Sequence, residues 1–372
     1  MYKVLIIPGS YKSTLTSSMA GDIINQQYKR IRPFDSITQV CISDGGEGTL
    51  EAFSRNFGGR NRFYMVSGMR GEPILVNTLW LNETTVVIES ASVVGYSLVV
   101  ENERNPWKLS SFGIGELLLL TKMDGAKEIY VTMGDSSIMD IGIGMLHALG
   151  VEFFDENKDL LKVSDLSFLD QIRSINTGKM YSFSGVKIFT LVDTKDYLFG
   201  EYGQTRVYGA QKGLRQDQAE IVERGFRNFA KIIFDIFSTD LSLIPMATGS
   251  GGLAASLHVF LNSDLIHCPL YITEKIGLID LIADIDIIIT GEGILDNQTR
   301  WGKIPYFVSQ GFNGHIFLIV GDYSNEGVDD IKNTSHATIH IVKLSLNDVP
   351  FMAMANAVIQ ICSEIEEISK RG

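Results

Sequence analysis

Cysteine is scarce in this chain: Cys41, Cys268 and Cys362 are the only three in 372 residues, odd in number, far apart and without a CxxC pair. Such usage fits a reducing compartment. Long apolar runs are missing too, none approaching the roughly 18 to 20 residues that span a bilayer, so insertion into a membrane is not expected. Residues 1–7 read as a short apolar strand ended by Pro8, without the charged start and longer apolar stretch of a secretory signal, and the expected location is the cytoplasm. Proline is thin at 8 residues and no polar low-complexity tract occurs, so the whole chain is expected to pack without a disordered tail. Positive charge is in deficit, 32 Lys and Arg against 44 Asp and Glu for a net charge of -12, which removes the footprint of a nucleic-acid binder. A phosphate-bearing ligand would need local help from backbone amides, a few placed cations or a divalent metal. No GxxxxGK[ST] string is present, which excludes a Walker-type phosphate loop, and the six histidines form no ligand pair at helical spacing, which speaks against zinc.

What is present is ample apolar material, 45% of residues against 20% charged. The length exceeds one core, and a prior of about 150 residues per domain gives two domains. Near both chain ends the pattern is strand, loop, helix. Residues 3–7 and 37–42 are expected as apolar strands followed by helices over 14–28 and 50–57. Residues 285–289, 315–320 and 339–342 repeat the strand signal before a helix over 352–368. Short, almost wholly apolar strands alternating with helices imply a parallel sheet covered on both faces. The middle differs: residues 62–66, 74–80 and 85–89 read as consecutive strands with short polar connections, hence an antiparallel or mixed sheet. Further strands are expected over 128–133, 186–192 and 270–273, with helices over 115–122, 142–149, 219–237 and 253–261. The simplest assembly is one α/β domain made from both chain ends, with a second α/β domain inserted.

Several loops could carry chemistry. Asp44-Gly45-Gly46-Glu47-Gly48-Thr49 follows a strand and precedes a helix; its glycines let the backbone approach a ligand and its carboxylates could hold Mg²⁺ or a hydroxyl. It reads equally as a tight loop whose acidic residue caps the helix. A second loop, residues 290–303, gathers Glu292, Asp296, Gln298, Thr299 and Lys303 after an apolar strand, where an α/β sheet places its site, or it is a solvated loop with local turn bonds. In residues 133–144, Gly142 and Gly144 hint at a dinucleotide fingerprint, but His147 stands at the third glycine position, so that cofactor is not expected. Lys12, after the first strand, could neutralise a transferring phosphoryl group or be a surface lysine.

Together these strings resemble the glycerate kinase family. The resemblance runs along nearly the whole chain: Asp44-Gly-Gly-Glu-Gly-Thr49, Arg104-Asn105-Pro106, Gly113-Ile114-Gly115-Glu116-Leu117, Gly209 with Gln211-Lys212-Gly213, Gly251-Gly252-Leu253, and Thr290-Gly-Glu-Gly293 with Asp296, Gln298, Thr299, Gly302 and Lys303. It implies a two-domain α/β fold, a Rossmann-like parallel-sheet domain (1–63 and 275–372) with a mixed-sheet α/β domain (64–274) inserted. It implies ATP-dependent phosphorylation of glycerate, in the bacterial type usually at the 2-hydroxyl, with Mg²⁺ as cofactor. By the same resemblance Lys12, Asp44, Asp193, Glu292 and Asp296 are the catalytic candidates. Ser10, Gly45, Gly46, Glu47, Arg104, Ser136, Asp140, Lys212, Gly291, Gln298, Thr299 and Lys303 would contact substrate or nucleotide, and Asp44 and Asp193 would hold the metal. The partners are then a small hydroxy acid and a nucleotide, with no nucleic acid or membrane, and a homodimer is permitted.

Some positions depart from the family pattern. Gly9 stands for its Asp and Ser13 for its Gly; Asp135 and Ile141 stand for glycines and Met139 for Asn; Lys195 replaces a carboxylate in Asp193-Thr194-Lys195-Asp196. These changes remove acceptors that bind Mg²⁺ or orient a hydroxyl. Three readings follow: a glycerate kinase, a divergent kinase for another small hydroxy acid, and a ligand-binding homologue without activity.

Overall fold

The computed structural model describes every residue except 12–13, 201–202, 297–298, 300–302, 346 and 372. In chain order the strands are β1 (Lys3–Ile6), β2 (Ser36–Gln39), β3 (Arg60–Ser67), β4 (Pro73–Trp80), β5 (Thr85–Glu89), β6 (Glu128–Met133), β7 (Glu152–Phe154), β8 (Ser174–Asn176), β9 (Lys187–Val192), β10 (Asp264–His267), β11 (Ile287–Leu295), β12 (His315–Tyr323) and β13 (Thr338–Lys343). The chain divides into two compact units: Met1–Asp44, Glu51–Gly58 and Pro269–Gly372 form the first, Gly45–Leu50 and Gly59–Cys268 the second. No helix among the described residues is long and apolar enough to cross a membrane.

The first unit holds a five-stranded, fully parallel sheet in the order β13-β12-β11-β1-β2. The inner strands β1, β11 and β12 each carry an apolar run because they are covered on both faces, whereas the edge strands β2 and β13 mix polar residues in and are less buried. Val4, Leu5 and Ile6 of β1 are wholly buried, and Val4 and Ile6 pack with Ile287, Ile289, Phe317 and Ile319. Helices Ser17–Ile31 and Pro350–Arg371 add Ile24, Tyr28, Met354, Val358 and Ile361 to the same core. Thr16 starts the first of these by accepting from the Met19 N-H (3.2 Å), relieving a donor that the helix itself cannot satisfy.

The second unit is built on a six-stranded mixed sheet, β10-β9-β6-β5-β4-β3, in which β10, β9, β6 and β5 pair in parallel and β4 pairs antiparallel with both β5 and β3. The three consecutive central strands expected from the sequence are this antiparallel end. β7 and β8 form a separate antiparallel pair. Helices Phe112–Met123, Ile143–Ala148, Gln216–Phe237 and Leu253–Leu261 contribute Ile114, Leu118, Leu146, Phe226 and Leu257 to one large core.

Two local expectations are corrected. Residues 270–273 are not a strand but lie in the helix Cys268–Lys275, and the strand is β10, just before it. A four-residue stretch, Leu270-Tyr271-Ile272-Thr273, has no readable period, whereas Pro269, lacking an N-H, suits the first helical turn. Residues 290–295, read as loop, continue β11, pairing Thr290 with Leu318, Gly291 with Ile319 and Glu292 with Val320. Gly291 allows it: a Cβ there would come within 1.9 Å of the Ile319 carbonyl oxygen and 2.5 Å of the Tyr11 hydroxyl.

Candidate active site

In the first unit, β1 and β11 deliver their C-terminal ends side by side, and the Gly9 N-H donates to the Gly291 carbonyl (2.8 Å). Ser10 follows, half-buried. Glu292, near the end of β11, is buried and carries the centre of a small network. The Thr299 hydroxyl donates to its Oε1 (2.8 Å) and Lys303 Nζ lies 3.0 Å from its Oε2. Lys303 Nζ also donates to Asp296 Oδ1 (3.1 Å) and to the Ile294 carbonyl (2.8 Å), while the Asp296 N-H donates to the Thr299 hydroxyl (3.1 Å). Burial pushes the Glu292 carboxyl up to about 7 against the pull of Lys303 and Thr299, with the Asp296 charge adding to the rise. Tyr11 is raised as well, first by burial and then by Glu292, and its hydroxyl donates to the Ile319 carbonyl (3.0 Å). The expected residues Ser10, Gly291, Glu292, Asp296, Thr299 and Lys303 thus belong to one end of one sheet. Asp44, half-buried, closes the first segment of this unit. Lys12 and Gln298 lie outside the described residues.

In the second unit the expected residues gather at the C-terminal ends of β5, β6 and β9. Lys212 is buried, and its Nζ donates to the Ser136 hydroxyl (2.9 Å) and the Ile138 carbonyl (2.9 Å). Burial pushes this lysine down to about 7, although the carboxylates of Asp193 and Asp140 hold part of its charge in place. Asp193 is exposed and directly follows β9. Arg104 lies over the Tyr96 ring (4.9 Å), and its Nε is buried without a hydrogen-bond partner among the described residues. Tyr96 is pushed up to about 12 by burial; Arg104 opposes the rise, while Asp135 and Asp193 add to it. One neighbourhood therefore holds Arg104, Lys212, Ser136 and Asp193. Gly45, Gly46 and Glu47 belong to the same unit, and Gly134, at the end of β6, packs onto Gly46.

Asp140 is occupied by protein groups. Its Oδ2 accepts from the Ser111 N-H (2.8 Å), the Ser111 hydroxyl (2.8 Å) and the Gly144 N-H (3.1 Å), and its Oδ1 from the Gly142 N-H (3.1 Å). Burial nevertheless raises it against all four donors. It joins the starts of two helices, since the Ser111 hydroxyl in turn accepts from the Met145 N-H (2.8 Å).

Three residues here were not picked out from the sequence as site residues: Tyr96, Glu89 and Asp135. Glu89 ends β5, buried, and accepts from the Leu50 N-H (3.0 Å). Only Asp135 had a signal, as a side chain where glycine is expected, and its φ of +49° accounts for that expectation. Ile141 is the same case, at +51°. Met139 is fully buried in the core. Among the described residues no group of three or more His, Cys, Asp and Glu is arranged to hold a metal.

Residues 4–370 match the family model described as the glycerate kinase family. The chain is 30% identical over 349 residues to a glycerate 2-kinase of Escherichia coli (strain K12), covering 88% of this chain and 89% of that one. It is 31% identical over 312 residues to a glycerate kinase of Halalkalibacterium halodurans, covering 83% and 82%. It also superposes on the crystal structure of a protein assigned as glycerate kinase 2 from Salmonella typhimurium LT2, with a TM-score of 0.79, 27% identity and 99% of each chain covered. The chain belongs to the glycerate kinase family, and with it to the enzymes that transfer a phosphoryl group to an alcohol.

Proposed function

We propose that the protein is an ATP-dependent kinase that phosphorylates glycerate at its 2-hydroxyl, releasing 2-phosphoglycerate and ADP. The observation that carries the acid half of this reading is Arg104. A guanidinium whose buried Nε lacks an acceptor among the described residues calls for a ligand oxygen, and a carboxylate matches its planar fork. The Tyr96 ring fixes the plane of that fork.

The remaining roles follow from charge and position. Asp193, exposed beside Lys212, is the acceptor for the proton of the attacking hydroxyl. Lys212 titrates near neutrality and sits against Ser136, so it supplies positive charge when an anion arrives. Gly45, Gly46 and Glu47 contact substrate or nucleotide. In the first unit, Lys303 balances the Glu292 and Asp296 carboxylates and is a cation that a transferring phosphoryl group would draw away from them, with Thr299, Ser10 and Gly291 lining its surroundings. Lys12 and Gln298 keep their proposed places by resemblance.

The carboxylates fit Mg²⁺, which takes one or two protein carboxylates and completes its octahedron with water and phosphate oxygens; a cage of three or more is not required. Asp44 and Asp193 are each proposed as ligands. When bound with the nucleotide, the ion offsets charge on the terminal phosphates. The three cysteines are buried and form no disulfide with one another, in keeping with a reducing cytoplasm.

Phosphorus NMR of the protein with ATP, Mg²⁺ and D-glycerate tests the reading. A phosphomonoester resonance growing with ADP is expected; ATP left intact at saturating acid would overturn it. One observation favours a second reading, a kinase for another small hydroxy acid. Lys195, in place of a carboxylate, lies close enough to help depress His267, which burial chiefly lowers to about 4. Turnover with a different acid and none with glycerate would select that reading.

A further inference from the structure

Asp193 is the first residue after β9, and Val192 before it is held on both sides, by Met133 of β6 and His267 of β10. Beyond it residues 193–196 leave the sheet, so the direction of the Asp193 side chain depends on what fixes the chain behind it. Tyr208, which ends the short helix Gln204–Tyr208, fixes it through a closed circuit of hydrogen bonds. Its hydroxyl donates to Asp196 Oδ2 (2.8 Å), the Asp196 N-H donates to the Thr194 hydroxyl (3.1 Å), and that hydroxyl bonds back to the Tyr208 oxygen. Both hydroxyls give one bond and accept one, so the circuit closes in a single direction. The phenol keeps its proton for this: burial raises it first, and the Asp196 and Asp193 charges add to the rise against the Thr194 bond. The same residue reaches the other side of the site, because its carbonyl accepts from the Lys212 N-H (2.9 Å) and opens the turn at residues 209–213. That turn lies tight against Arg104: a Cβ on Gly213, whose φ is +89°, would stand 2.0 Å from the Arg104 carbonyl oxygen.

We propose that Tyr208 is a positioning residue for phosphoryl transfer, tying the loop 193–196 to the turn 209–213 and so setting the distance between Asp193 and Lys212. The inference rests on the role given above to Asp193 as acceptor of the hydroxyl proton, and adds the group that aims it. A reacting group displaced by about 1 Å loses on the order of a hundredfold in rate, so loosening this loop is felt in the chemical step. The Arg104 side chain is not part of the circuit, and the hold on the acid's carboxylate is left in place.

Tyr208→Phe removes one oxygen and keeps the aromatic packing. With ATP, Mg²⁺ and D-glycerate, kcat is expected to fall about tenfold while KM for the acid stays within about twofold. Thr194→Val should behave alike, and Thr194→Ser, which restores the hydroxyl, should recover the native rate. In an Asp193→Asn background Tyr208→Phe should cost less than about twofold more, because no acceptor is left to aim; a merely structural role would cost the full factor again. A raised KM with unchanged kcat, or additive losses in the double variant, would overturn the proposal. Amide hydrogen exchange supplies a readout without turnover: the peptide covering residues 193–199 should exchange about fivefold faster in Tyr208→Phe, and unchanged exchange would overturn the proposal as well. A native chain that phosphorylates no hydroxy acid would count against the functional reading, and exchange would still decide whether Tyr208 fastens the loop.

Discussion

Glu89 shows how a single buried carboxyl couples this fold to pH. Burial lifts it from 4.5 to about 7, only partly opposed by the amides of Thr49 and Leu50, so the folded chain holds this proton more tightly than the unfolded chain. Its contribution is full below about 4.5 and is lost as pH rises through 7, on the order of 3 kcal/mol over that window. Glu89→Gln keeps an oxygen for the Leu50 N-H and has no proton to lose. In urea unfolding, the variant should therefore gain on the native chain between pH 4.5 and 7.5, and an identical difference at both pH values would refute the assignment. Nothing in the sequence singled out Glu89, because it ends an apolar run and its meaning comes from Leu50, far away in the chain. Arg104, Lys212, Ser136 and Asp193 were legible as strings but not as neighbours. The burial of Lys212, and hence its lowered pKa, depends on which strands lie side by side. Asp140 was legible too, yet its carboxylate spends four acceptor contacts on fastening helix starts.

At the level of elements, β11 is the most sensitive to one atom. Gly291→Ala would place a methyl group against the Ile319 carbonyl and the Tyr11 hydroxyl, so β11 and β12 would have to separate or Tyr11 to move. A loss of about 2 to 3 kcal/mol is expected in chemical denaturation, with Glu292 displaced from Thr299. A loss under about 0.5 kcal/mol would mean that the pairing is looser than it looks. The inner parallel strands β1, β11 and β12 were readable because burial on both faces leaves an apolar run, and β3 to β5 because polar turns punctuate them. The segment after β10 was misread, since a strand and a first helical turn look alike over four residues. β7, β8 and the shorter helices are three to eight residues long, too short to establish a period.

Over the whole molecule, the order of strands was the part that periodicity could not supply. It places β1, from the start of the chain, between β2 and β11, whereas all six strands of the mixed sheet lie within residues 60–267. A polypeptide of residues 59–268 is accordingly expected to fold by itself, with a cooperative thermal transition in circular dichroism. A gradual melt would show that the mixed sheet depends on the remainder.

That strand order also sets a schedule for biogenesis. At 5 to 20 residues per second, the ribosome needs roughly 15 to 60 s between releasing β1 and completing β11, the later of its two parallel partners. Throughout that interval Val4, Leu5, Ile6 and Ile7 emerge sticky and unclaimed, a bait for chaperones on the nascent chain. The mixed sheet, all of whose strands leave the tunnel before β11, can finish early and wait for the two loose ends to find one another.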